Sequence, residues 1–113
     1  MLTIENLKEY GADVEKGLSR CAGKESLYLR LVKIVVDELA SGKLGEALDE
    51  NSVDKAFEIA HKLKGGVSNV ALTPVLTPLS ELTELLRNNT PGDYQKLYAE
   101  IMAETEKLTA LAE

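Results

Sequence analysis

The chain has 113 residues, 44% apolar and 28% charged, which fits one soluble globular domain and excludes a disordered chain. Nineteen acidic against thirteen basic residues give a net charge of −6, and there is no Trp, one Phe and four Tyr; such a chain repels phosphate backbones and offers bases little to stack on, so nucleic acid is excluded as a default partner. The single cysteine, Cys21, excludes an internal disulfide, no basic-then-apolar leader opens the sequence, and the densest apolar stretch, 27–36, is broken by Arg30 and Lys33 and is too short to span a bilayer, which makes the cytoplasm the expected compartment.

No run alternates apolar and polar residues with the period of a strand, so the whole chain reads as helix. A first helix starts at Thr3, a capping residue, and fades at Tyr10-Gly11. A second starts at Asp13 and stops near Ala22-Gly23, which puts Cys21 inside it as a small buried hydrophobe. A third spans about Lys24 to Ala40, with Leu27, Leu31, Ile34, Val35 and Leu39 on its apolar stripe, and Ser41-Gly42 ends it. A short helical stretch covers Leu44 to Leu48. Asn51-Ser52 then caps a long helix from Val53 to Val70, whose stripe is Val53, Ala56, Ile59, Ala60, Leu63, Val67 and Val70.

Thr73-Pro74 opens the next helix, with Pro in its first turn. Thr77-Pro78 repeats the signal one turn later, so either the start lies there or the first turn is kinked. Leu79, Leu82, Leu85 and Leu86 follow at helical spacing. Residues 88–92, Asn-Asn-Thr-Pro-Gly, make a clear break. The last helix runs from Asp93 to about Leu111 with Tyr94, Leu97, Tyr98, Ile101, Leu108 and Leu111 apolar, and the tyrosine hydroxyls are expected to stay wet. Long amphipathic helices on short loops predict an all-α fold: an antiparallel four-helix bundle with additional short N-terminal helices, in one domain over 1–113.

Only His61 is equipped for chemistry at neutral pH unaided. On a helical wheel with Leu63 at zero, Ala56, Ala60 and Val67 fall within about 60°, and His61 sits near 160°, away from the core. Gly65 shares that angle. Helical side chains lean toward the N-terminus, so residue 65 overlies the turn bearing residue 61, and a glycine there leaves the imidazole uncovered. Gly65-Gly66 costs about 1 kcal/mol per residue relative to alanine. Paired glycines also mark close helix packing, and a lone exposed histidine is commonly just surface. With Lys62 and Lys64 adjacent, the pattern points to access for something bulky and anionic, and a phosphoryl group is the natural guest.

The stretch Ala60-His61-Lys62-Leu63-Lys64-Gly65 resembles the His-x-Leu-Lys-Gly signature of histidine-containing phosphotransfer (HPt) domains. The likeness extends to Asn69, the Leu72 region and Ser80-Glu81-Leu82-Thr83-Glu84-Leu85, and upstream to 11–14, Leu18 and 27–29, though only the motif around His61 is specific. The chain departs from the family pattern at Lys62, where a small hydroxyl residue is common, at Ala71, where glycine is common, and at Pro74 and Pro78; these bear on the helix junction more than on the chemistry.

The resemblance implies a phosphorelay intermediate without kinase activity of its own. His61 would accept a phosphoryl group from a receiver aspartate, Lys64 would neutralise phosphate charge, and Gly65 would give access. The chain would bind no cofactor, and Mg²⁺ would come with the receiver domain. Partners would be response-regulator receiver domains and a hybrid sensor histidine kinase, met by a monomeric carrier. Met1 and the length suggest a free-standing domain, with a fragment of a larger sensor as the alternative. Glu58 either orients the imidazole or is a solvated helix acid, and Ser68 either borders the phosphoryl site or is an ordinary surface serine. Phe57, near 120° on the wheel, either joins an apolar docking patch or covers the core edge. Lys55 and Arg87 either extend the basic patch or pair with Glu. A bundle that binds a partner and takes no phosphate is the competing class; Gly65 argues against it. A hydrolase lacks a nucleophile and base at recognisable spacing.

Overall fold

The computed structural model describes residues 1–113. There are seven helices and no strand: α1 (Ile4–Tyr10), α2 (Val14–Arg20), α3 (Glu25–Ala40), α4 (Lys43–Asp49), α5 (Val53–Asn69), α6 (Thr73–Arg87) and α7 (Tyr94–Ala112). Their starts follow from side chains that satisfy otherwise orphaned N–H groups. The Thr3 hydroxyl accepts from the Asn6 N–H while the Asn6 side chain accepts from the Thr3 N–H, a reciprocal capping box. Asp13 accepts from the Lys16 N–H at 3.2 Å, and Asp93 from the Lys96 N–H at 2.9 Å. Ser52 opens α5 without a side-chain cap bond.

Helices α3, α5, α6 and α7 form a closed ring in which α3 and α6 each touch both α5 and α7. The pairs α3–α5 and α5–α6 are antiparallel: Tyr28 reaches Val70 while Val35 meets Gly66, and Lys64 faces Glu84 while Phe57 meets Arg87. Helix α4 lies against α5 and α7, and α1 and α2 close the remaining end. One continuous core of 26 buried residues joins all seven helices, from Leu7 and Val14 through Val67, Leu79 and Leu82 to Ile101 and Leu108. Each fully buried leucine or isoleucine contributes about 1.5–3 kcal/mol, so the ring is held by apolar burial rather than by its exposed ion pairs.

Three expectations need correction, and one open alternative, the start of α6, is resolved. Helix α2 closes at Arg20, so Cys21 sits just past its end, though it is buried as expected. The buried stripe of α3 is Tyr28, Val32, Val35, Val36 and Leu39; Leu27 and Leu31 lie on its shoulder and Ile34 is 47% exposed. The face is turned because the large Tyr28 ring takes the inner position. Helix α6 begins at Thr73 and continues through a buried Pro78, so the later start at Thr77 is not used. The first turn accommodates Pro74, whose missing N–H has no helical partner there; Pro78 forgoes one backbone bond inside the helix.

The third correction concerns the tyrosines. Tyr28 is fully buried and donates its hydroxyl to the Val70 carbonyl at 3.0 Å. Burial, with smaller contributions from Cys21 and Asp13, pushes its pKa up to about 12. The Tyr10 hydroxyl is buried without a hydrogen-bond partner, and burial followed by the nearby Glu104 carboxylate raises its pKa as well. Two buried threonines also enter the core by back-bonding one turn: Thr83 to Leu79 O at 2.7 Å and Thr105 to Ile101 O at 2.8 Å. At the α5–α6 junction Ala71 holds the left-handed conformation at φ 57°. The turn that glycine commonly serves is therefore kept, with the strain borne by alanine. The Ala71 carbonyl accepts from the Asp13 N–H at 2.9 Å, tying this junction to the start of α2.

Candidate functional site

The inner face of α5 carries Ala56, Ala60, Leu63 and Val67, all buried. Small residues at 56 and 60 let the neighbouring helices approach, and the heptad-like spacing leaves position 61 on the opposite side. His61 is exposed, as the wheel predicts, and forms no hydrogen bond to protein. The gap beside it is real: a Cβ built at Gly65 would meet nothing within 4 Å. A Cβ at Gly66, by contrast, would lie 3.4 Å from Val35 Cγ2. The two glycines thus differ: Gly65 faces open space and Gly66 faces α3.

One side of the imidazole is not bare. The Phe57 ring stacks on it with centroids 5.6 Å apart and planes 23° from parallel. Phe57 is half-buried one turn earlier in α5, and the Arg87 guanidinium from the end of α6 lies 5.4 Å from its centroid. Arg87 Nε is 3.3 Å from Glu84 Oε1, and the same oxygen lies 4.0 Å from Lys64 Nζ. Phe57 thus links His61 to Arg87, and Glu84 links Arg87 to Lys64, a series of contacts across α5 and α6.

Of the other residues singled out, Glu58 is exposed and makes no hydrogen bond to His61, which is the solvated-acid alternative. Lys62 is exposed and turns toward α3, lining a groove of about 560 Å³ with Ile34, Ile59 and Leu63. Ser68 is half-buried, and its backbone carbonyl accepts from the Arg20 guanidinium. Lys55 leaves the patch to pair with Glu50 at 3.3 Å. Arg87 does both things expected of it: it pairs with Glu84 and it joins the patch. Glu84, which the sequence marks only as part of the family likeness, also enters the site. Its spacing of three from Arg87 was readable, but its approach to Lys64 depends on the register between two helices.

An unhindered imidazole is a good nucleophile in its neutral form, and two neighbouring cations suit a dianionic guest. The molecule is thus an antiparallel helical bundle presenting one accessible histidine on a core helix. A family model, the Hpt domain, matches residues 28–112, and the chain belongs to that family. Comparison with curated proteins and with solved structures finds no match. The matched span begins inside α3, leaving α1 and α2 before it. Hpt domains are phosphotransfer carriers rather than kinases; they act in two-component signalling and interact there with receiver domains and kinases. No helix of this chain is long and apolar enough to cross a membrane.

Proposed function

We propose that His61 is the phosphoryl acceptor of a phosphorelay, loaded from the aspartyl phosphate of one receiver domain and discharged to the aspartate of another. The observation that carries this reading is the exposed imidazole beside the open space at Gly65. In the transfer, the Nε2 lone pair of neutral His61 attacks phosphorus and an N–P bond forms. The P–O bond to the receiver aspartate breaks, and its electron pair leaves with the carboxylate. The Nδ1 proton stays on the ring until solvent takes it, so no protein base is required. Return of the phosphoryl group to an aspartate reverses each step.

Phosphoryl transfer depends on alignment and charge neutralisation more than on acid–base help. Lys64 supplies a cation one turn from the acceptor, and Gly65 admits the phosphoryl group with the partner's loops. Phe57 limits rotation of the imidazole by stacking. In this reading the Mg²⁺ belongs to the receiver, and a hybrid sensor histidine kinase is the upstream source. The chain acts as one unit over 1–113, as a monomer in the cytoplasm. Its net charge of −6 fits a protein partner better than a nucleic acid.

The test is incubation with phosphorylated receiver domains. The wild-type chain should gain acid-labile, base-stable phosphate, and His61→Gln should gain none while melting at the same temperature. Labelling that persists in the variant would rule His61 out. A wild-type chain that binds the receiver but never takes label would be an adaptor instead.

A further inference from the structure

The contacts that lead from His61 through Phe57 and Arg87 reach a carboxylate that the transfer chemistry does not call for. Glu84 Oε1 lies within ion-pair range of both cations of the patch, at 3.3 Å from Arg87 Nε and 4.0 Å from Lys64 Nζ. All three side chains are partly open to water, at 46% for Arg87, 33% for Lys64 and 52% for Glu84. Exposed pairs of this kind contribute only about 0–1 kcal/mol each, so they hold a geometry without locking it.

Resting on the reading of His61 as acceptor, we propose that Glu84 is a placeholder anion: it holds Lys64 and Arg87 beside the vacant imidazole and yields them to the phosphoryl group when His61 is loaded. Three observations support this. Both cations converge on a single oxygen, so one carboxylate occupies the place where a second anion would draw them. Arg87 has a second contact besides Glu84, the Phe57 ring at 5.4 Å, and that same ring stacks on His61 at 5.6 Å. Lys64 is at the limit of ion-pair range from Glu84 and stands one helical turn from residue 61. A phosphoryl dianion competes for these cations with more charge and three acceptor oxygens. Glu84 is thus a positioning residue that tunes how readily phosphate stays on the histidine, and it makes loading reversible by opposing it.

The experiment compares wild type, Glu84→Gln and Glu84→Asp in two assays. The first measures the equilibrium ratio of phosphohistidine to phosphoaspartate with a receiver domain. The second measures labelling by phosphoramidate, which passes its phosphoryl group to imidazole with loss of ammonia and needs no docking. Glu84→Gln should raise both the ratio and the labelling rate about three- to tenfold, because two pairs worth up to about a factor of five each no longer compete. Glu84→Asp should stay within twofold of wild type, and all three chains should melt alike. In a Lys64→Ala, Arg87→Ala background the Glu84→Gln effect should shrink to twofold or less. An unchanged ratio and rate in Glu84→Gln, with wild type taking phosphate, would overturn this proposal and leave the acceptor reading standing. An effect seen with the receiver only would make Glu84 a docking residue and overturn it equally. A wild type that takes phosphate from neither donor would sink both.

Discussion

Helix-borne glycines serve opposite purposes in two regions of this molecule. At the packed seams, Gly17 and Gly45 make room for aromatic rings: a Cβ at Gly17 would overlap the Tyr28 ring, and one at Gly45 would lie 2.6 Å from the Tyr98 hydroxyl. On the open face of α5, Gly65 makes room for nothing in the chain itself. A helix interior normally disfavours glycine by about 1 kcal/mol relative to alanine. At the seams that cost is offset by packing within the fold. At Gly65 no internal contact offsets it, and the space left open is what the proposed approach of a partner requires.

Substitution can break this comparison. The largest stability effect is expected for Gly17→Ala. Tyr28 is fully buried and its hydroxyl is fixed to Val70, so the ring cannot retreat, and the variant should lose about 1–3 kcal/mol in denaturant unfolding. Gly65→Gln should do the reverse, gaining up to about 1 kcal/mol of stability while slowing phosphoryl transfer tenfold or more. Unchanged transfer in Gly65→Gln would refute the access argument. Tyr28→Phe sharpens the seam side, since it keeps the ring over Gly17 and removes only the bond to Val70. A loss of about 1 kcal/mol is expected.

The same variant carries a pH signature. Burial pushes the folded Tyr28 hydroxyl up to about 12 from its ordinary 10.0, so the folded chain holds this proton more tightly. Its contribution is fully present below pH 10 and is lost as pH rises through about 12. Tyr28→Phe should therefore show a shallower decline in stability across that window than wild type. Equal slopes would mean that the hydroxyl ionises as readily in the folded chain as in the unfolded one, so that burial does not raise its pKa.

Much of this was readable in the sequence because it is local. Thr3, Asp13 and Asp93 fix helix starts through bonds only three residues long, and the exposure of His61 follows from angular arithmetic within one helix. What was not readable depends on packing between helices. The inward turn of α3 is set by where the Tyr28 ring finds Gly17, two elements that no periodicity connects. The stack of Phe57 on His61 was half visible, since four residues separate them, yet whether Phe57 faced the core or the histidine depended on Arg87 arriving from α6. Ala71 taught a different lesson. The departure from glycine there does not alter the turn, because the backbone adopts φ 57° anyway under the hold of the Asp13 bond to its carbonyl.

The uncovered state of the imidazole also bears on time. A ring that no loop or lid shelters is as open to solvent as it is to a receiver, so a loaded group would survive only as long as the N–P bond itself resists hydrolysis. Under the proposed role, the lifetime of a loaded group is then set by water and by the partner that collects it, not by a closing segment of this chain.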